Sequence, residues 1–184
     1  QVDNGLIYKS AKLTLEEFMT DWLISVESSL RPNTYKQYRQ ITNQHILPYL
    51  GKIKLKDLNP ADIQQRYNNM VKQGKGLRTV QITHAVIHRA LGQAVKFGLI
   101  SRNPDDATTP PKPKPKEMKF YDQDQVQKLL LSAKSSGDPN YSLYQLALST
   151  GMRQAEILGL RWTDLDIEQR SLQVHRQLTR KKGG

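Results

Sequence analysis

With 184 residues, 37% of them hydrophobic and 24% charged, the chain has apolar material for one large or two small folded cores and is not composed like a disordered tail. It contains no cysteine, which excludes disulfides, cysteine-rich zinc sites and thiol catalysis, and apolar runs such as Leu129 to Leu131 are far shorter than the ~20 residues of a membrane span. Lys and Arg number 28 against 17 Asp and Glu, and the resulting charge of +11 points to a polyanionic partner.

Residues 1–12 read as an N-terminal extension. Thr14-Leu-Glu-Glu17 is a capping box, with the acidic residue three places after the threonine, and it opens a first helix. Leu15, Phe18, Met19, Trp22, Leu23 and Val26 form its core stripe. A second helix starts around Pro32 to Thr34, buries Tyr35, Tyr38, Ile41 and Ile46, and is expected to stop before Pro48. Asn59-Pro60 is an N-cap followed by proline at the first helical position, so a third helix runs to about Lys72 and ends at Gly74. The fourth runs from about Leu77 to Phe97, with Val80, Ile87, Leu91, Ala94 and Val95 inward and Gly98 as a left-handed C-terminal cap. Residues 13–103 therefore read as a four-helix domain. His84 and His88 could share a helix face, but no acidic residue lies near them in sequence, so no metal pair is expected.

Five prolines between Pro104 and Pro115, interleaved with lysines, predict an extended linker over 104–119. Beyond it Asp122 caps a helix carrying Val126, Leu129 and Leu130, and Gly137-Asp-Pro139 turns into another with Leu143, Leu146 and Leu148. A short strand is expected where Leu172, Val174 and Arg176 alternate with Gln173, His175 and Gln177. The chain opens on Gln1 and stops at Lys-Lys-Gly-Gly in what reads as strand and turn, so it is expected to be an excerpt of a longer protein.

The charge is concentrated. Thirteen basic and two acidic residues lie between Arg31 and Arg102, a surplus equal to the net charge of the whole chain. Such a footprint suits phosphates, and helix amino-termini with small polar and basic residues suit them best. Thr34, Lys36 and Arg39 on the second helix and Lys75, Arg78 and Thr79 at the start of the fourth are the candidate contacts.

The remaining chemistry lies between Thr150 and Asp166. Gly151 makes a turn, a short helix follows, and Arg153 and Glu156 share a face, with Ile157, Leu160 and Trp162 expected inward. An arginine pre-organised by a carboxylate can grip a phosphate through its planar fork, but an ordinary helix ion pair has the same spacing.

The run Thr150-Gly-Met-Arg153-x-x-Glu156-Ile-Leu-Gly-Leu-x-Trp162-x-Asp164-Leu-Asp166 resembles the first conserved box of the tyrosine recombinase (phage integrase) catalytic domain at nearly every signature position. Upstream, Thr34-Tyr35, His45-Ile-Leu-Pro48-Tyr-Leu-Gly51, Leu58-x-Pro60 and Gly98-Leu-Ile-x-x-Asn103-Pro104 resemble that family's core-binding domain. The resemblance implies a mainly α chain: a four-helix SAM-like core-binding domain over 13–103, a linker over 104–119, and over 120–184 the N-terminal part of a mixed α/β catalytic domain. It implies that Arg153 is the first catalytic arginine, on the scissile phosphate, and that Glu156 orients it. The family's β-hairpin lysine, His-x-x-Arg box and tyrosine nucleophile find no match; Lys181 and Lys182 are given no role, and no tyrosine follows Tyr144. By itself this chain is then expected to bind DNA without cleaving it. The implied partners are double-stranded DNA, other recombinase protomers on that DNA and accessory DNA-bending factors, with no membrane, metal or cofactor, in the cytoplasm of a bacterial or phage-infected cell, associated with the nucleoid. Two alternatives are a non-catalytic architectural or regulatory DNA-binding protein on the same scaffold and a basic RNA-binding protein, which the lack of aromatic-rich strand signatures disfavours.

Overall fold

Helix formation follows the caps. In the computed structural model, which describes residues 12–178 except 114 and 116, Thr14 and Glu17 close the capping box with bonds of 3.2 and 2.8 Å and open α1 (Leu15–Val26). The Thr14 N–H first, and then the Thr14 hydroxyl at 2.9 Å, donate to the Glu17 carboxylate and hold it below its ordinary pKa. Leu15, Phe18, Met19, Trp22 and Leu23 are buried, as their spacing requires.

α2 spans Pro32–Ile41, and here the expected stop before Pro48 does not occur. The chain continues through a π turn (Thr42–Ile46) into α3 (Leu47–Leu50) with Pro48 inside the run. Proline offers no N–H and its ring crowds the carbonyl four residues back, so an unbroken α-helix is excluded. The wider turn, in which the Leu47 N–H reaches back to the Thr42 carbonyl, re-registers the ladder and leaves Pro48 in the first turn of a new helix, where it is tolerated. Gly51 follows where a Cβ would come 2.6 Å from the Leu47 carbonyl oxygen, so no other residue fits without a shift.

α4 (Pro60–Lys72) has the expected Asn59 cap, closed reciprocally by Asp62, and α5 (Leu77–Lys96) ends before Gly98 at φ 70°. Ile63, Tyr67 and Met70 of α4 and Val80, Val86, Ile87, Ala90, Leu91 and Ala94 of α5 join the α1 residues and Ile41, Ile46 and Leu50 in one core.

The linker begins later than the prolines suggest. Asn103, Pro104 and Asp105 are buried and form a 3-10 turn (Pro104–Ala107) against α4 and α5. The Tyr67 hydroxyl donates to Asp105 at 2.9 Å, Thr108 donates to it at 2.7 Å, and His84 Nδ1 lies 2.9 Å from its other oxygen. The Asn103 amide donates to the His88 carbonyl, and the Gln64 side chain takes both the N–H and the carbonyl of Thr109. Composition marks prolines as spacer, but these polar partners hold residues 103–109 in the first compact unit, which extends to Pro115. From Lys112 to Asp122 the described residues are exposed.

The second unit begins at Lys116. Asp122 caps α6 (Gln123–Ser135) and α7 spans Tyr141–Thr150. Both form where their periodicity puts them, yet Leu129, Leu131 and Leu148 are exposed and α7 buries no residue fully. α8 (Gln154–Ile157) and a 3-10 turn (Trp162–Asp164) lead into a hairpin of β1 (Leu165–Asp166) and β2 (Ser171–Leu172), paired Leu165 to Leu172 and Asp166 to Ser171. The strand expected through Gln177 is shorter than its alternation suggests, because β1 offers only two residues to pair with; the Gln173 N–H still reaches the Asp164 carbonyl. Ile157 is buried and Leu160 half-buried, but Trp162 is 87% exposed, contrary to its expected inward packing, since no described element lies over the turn it opens. No helix among the described residues is long and apolar enough to cross a membrane.

Removing the carboxylate of Asp105 takes the acceptor from the buried Tyr67 hydroxyl and one of two acceptors from half-buried Thr108, so Asp105→Ala should destabilise the first unit by about 2 kcal/mol. Asp106→Ala, which frees only the exposed His88, should cost no more than about 0.5 kcal/mol. Chemical denaturation followed through buried Trp22 compares the two, and equal small losses would refute a structural role for Asp105.

Candidate DNA interface and phosphate-binding arginine

Of the thirteen basic residues between Arg31 and Arg102, twelve are exposed and only Arg66 is buried. None of the thirteen has a carboxylate within 4 Å among the described residues, so the surplus is not neutralised by the fold. Lys36 and Arg39 are exposed on α2 with Thr34 half-buried, and Lys75 and Arg78 are exposed at the start of α5 with Thr79 half-buried.

α2 and α5 pack against each other. Arg89 of α5 donates to the Tyr38 hydroxyl at 3.4 Å with its guanidinium 5.8 Å from that ring, and Tyr38 stacks on buried Trp22 at 6.0 Å. Nearer the start of α5, Lys75 acts on His45, whose pKa is lowered first by burial and then by Arg66 and Lys75. The two candidate groups therefore lie on adjoining helices, and Arg89, which no sequence motif singled out, meets α2 at Tyr38. Its signal was present only as one basic residue on the outer side of α5.

In the second unit, Gly151 at φ 66° ends α7 in a left-handed turn, and Arg153 sits immediately before α8. One carboxylate holds it twice: the Arg153 N–H donates to Glu156 Oε2 and Nη1 donates to Oε1, both at 2.9 Å. These bonds, the backbone one first, hold the Glu156 carboxyl below its ordinary pKa. Glu156 is mostly covered, at 19%, whereas the Arg153 side chain is 83% exposed, and Nε and Nη2 have no acceptor among the described residues. The guanidinium is thus fixed at one nitrogen and open at the others.

The turn after α8 is pinned by Asp164. This buried carboxylate accepts from the Arg161 N–H at 2.8 Å and pairs with Arg176. Its burial would raise its pKa, but the Arg161 N–H and the Arg176 guanidinium outweigh that and hold it below the ordinary value. The chain from Arg176 to Leu178 crosses so close to α8 that a Cβ on Gly159 would lie 3.2 Å from the Ala155 and Arg176 carbonyl oxygens and the Leu178 nitrogen. The sequence reading assigned neither Asp164, Arg176 nor Gly159 a structural task. A concavity of about 450 Å³ opens beside this hairpin, lined by Asp164, Asp166, Glu168 and His175 among others, and contains none of the candidate residues. Lys181 and Lys182 lie outside the described residues.

Residues 14–71 match the family model described as the phage integrase N-terminal SAM-like domain, and residues 119–184 match that of the phage integrase family. A XerC-like tyrosine recombinase of Caldanaerobacter subterraneus subsp. tengcongensis is 30% identical over 96% of this chain and 47% of its own length. The ICEBs1 integrase of Bacillus subtilis is 25% identical over 93% of this chain and 46% of its own. The chain thus spans less than half the length of these relatives. Among solved structures, the phage integrase SAM-like domain from Moorella thermoacetica is 35% identical over 61% of this chain and 97% of that one, with a TM-score of 0.50. The integrase of transposon Tn1549, solved in complex with circular intermediate DNA, shares the fold over 93% of this chain and 57% of its own, with 22% identity and a TM-score of 0.79.

The depressed pKa of Asp164 has a stability consequence of definite sign. Its stabilising charge is fully present above the unfolded carboxylate value of about 3.9 and is lost as pH falls through the lower folded-state value. Amide signals of the hairpin, that of Gln173 among them, should stay dispersed to about pH 4 and collapse below it. In Asp164→Asn that acid step should be missing, and an unchanged acid transition would assign it to another group.

Proposed function

The chain belongs to the phage integrase family of tyrosine recombinases, and from this we propose that the protein it represents carries out site-specific DNA recombination through a phosphotyrosyl intermediate. The observation that carries the reading is Arg153, fixed twice by Glu156 yet open at two nitrogens of its fork, in a run that resembles the family's first catalytic box and lies within the residues 119–184 matched by the family model.

In this reading the first unit is the DNA-binding clamp. Its exposed, unneutralised lysines and arginines displace counterions from phosphates, which supplies affinity without reading sequence. Thr34, Lys36, Arg39, Lys75, Arg78 and Thr79, extended by Arg89, line its contact surface. Arg153 binds the scissile phosphate bidentately and stabilises the negative charge that grows on it as a tyrosine hydroxyl attacks phosphorus and the 5′-oxygen leaves. Glu156 acts on Arg153 and not on the substrate, so it is a positioning residue. The attacking tyrosine and the acid that protonates the leaving oxygen belong to the rest of the protein. Other protomers on the same DNA and accessory DNA-bending factors complete the assembly, in the cytoplasm of a bacterial or phage-infected cell.

Duplex binding by this chain should weaken steeply with salt, each neutralised phosphate adding about 0.9 to the slope of log affinity against log salt. Reversing Lys36 and Arg39 to Glu should lower both affinity and slope while circular dichroism stays unchanged. A binding constant that is flat between low and physiological salt would remove the DNA reading.

In the complete protein, Arg153→Lys should cut strand cleavage by roughly 100- to 1000-fold and leave DNA binding nearly intact, because lysine keeps the charge and loses the fork. Cleavage assays on a target duplex, read beside binding, decide this, and near-normal cleavage would make Arg153 a structural residue only.

A further inference from the structure

Among the described residues of the clamp, Arg66 is the one lysine or arginine that the fold takes inside, at 3% exposure, and it is poorly satisfied there. Its Nε donates to the His45 carbonyl at 2.8 Å, while Nη1 and Nη2 are shielded from solvent and have no hydrogen-bond partner. No carboxylate lies within 4 Å of it among the described residues. The guanidinium carbon instead sits 3.5 Å from the centre of the Tyr49 ring. Burial lowers the pKa of Arg66, and the nearby Tyr49 hydroxyl partly offsets this, yet no hydroxyl or carbonyl meets the two terminal nitrogens in bonding geometry. His45 is half-buried beside it and feels the charges of both Arg66 and Lys75. Arg66 is thus bonded to the His45 backbone, and no ion pair with a carboxylate involves Arg66, His45 or Lys75 among the described residues.

A buried cationic fork with unspent donors is destabilising unless an acceptor arrives. Its cover is thin: Tyr49 is 52% exposed and stands on α3, the single turn that follows the π turn. Tyr49 is not among the core residues, so it is the side chain over the guanidinium that can turn away without disturbing the core. The two nitrogens of a guanidinium edge match two oxygens of a phosphate, and Lys75 adds charge from the exposed side.

We propose that Arg66, with His45 and Lys75, forms a phosphate subsite beneath the Tyr49 ring, and that one backbone phosphate of duplex DNA occupies it. The proposal rests on the reading of the first unit as a DNA clamp and adds a contact to it from inside the fold. Tyr49 is the movable cover: closed over Arg66 without DNA, displaced by the phosphate with it.

The test uses the whole chain and a duplex, with Arg66→Met, which keeps the apolar stem and removes the fork. The variant should bind on the order of ten-fold more weakly, and its log affinity against log salt should be shallower by about 0.9, one phosphate fewer. A folded variant with an unchanged slope overturns the subsite and leaves the DNA reading intact. An unmutated chain with no salt-dependent binding defeats the DNA reading itself. Should the variant fail to fold, the Arg66 Nε–H resonance of the unmutated chain, followed by NMR as duplex is added, decides instead. A shift that saturates with binding supports the subsite, and a resonance unmoved at saturation overturns it.

Discussion

The buried carboxylate of Asp105 is the group on which the first unit's closure depends. A charge placed in a core is tolerated only where neighbours answer it, and here Tyr67 of α4 and Thr108 donate to one oxygen while His84 of α5 lies beside the other. Burial, and then the Asp105 charge, push the Tyr67 hydroxyl far above its ordinary pKa, so it remains a donor and is no nucleophile. One polar group therefore joins the two long helices to the chain leaving them. It also explains why Asn103-Pro104 is followed by a packed turn rather than by free linker.

A second constraint acts on the surface. The apolar stripes of α1, α4 and α5 fill the core, which leaves almost every lysine and arginine between Arg31 and Arg102 outside without a carboxylate in reach. Such a surface repels itself and is stabilised by an external polyanion. Aromatic residues organise part of it: Trp22 supports Tyr38, Tyr38 supports Arg89, and Tyr49 of α3 covers Arg66 of α4. Flat rings restrict where a flexible guanidinium can point, which lowers the ordering cost of meeting a phosphate.

In the second unit, single carboxylates hold backbone and arginine together. Glu156 satisfies the first free N–H at the start of α8 and holds the Arg153 guanidinium with its other oxygen, so the arginine's position is tied to the start of the helix. Asp164 does the corresponding work one turn on, joining the Arg161 backbone to Arg176. Gly159 lets the returning chain pass against α8. The spacing of Arg153, Glu156, Gly159 and Asp164 thus answers to geometry at every position.

What the sequence determined by itself was everything local. The caps at Thr14, Asn59 and Asp122, the core stripe of α1, the left-handed end at Gly98, the turn at Gly151 and the pairing of Arg153 with Glu156 each depend on residues within about one turn, and all were legible. The charge footprint was legible too, because counting needs no geometry. Tertiary structure alone decided the rest. The run through Pro48 needed a π turn, and Arg66 from α4 takes the His45 carbonyl within it. His84 and His88 lacked acidic neighbours in sequence and found Asp105 and Asp106 in space. Trp162, apolar by type, stands exposed because no described element covers it. Periodicity and capping act over three or four residues, whereas the partner of a buried polar group is chosen by which distant segment the packing brings within hydrogen-bond distance, and no pattern along the chain encodes that distance.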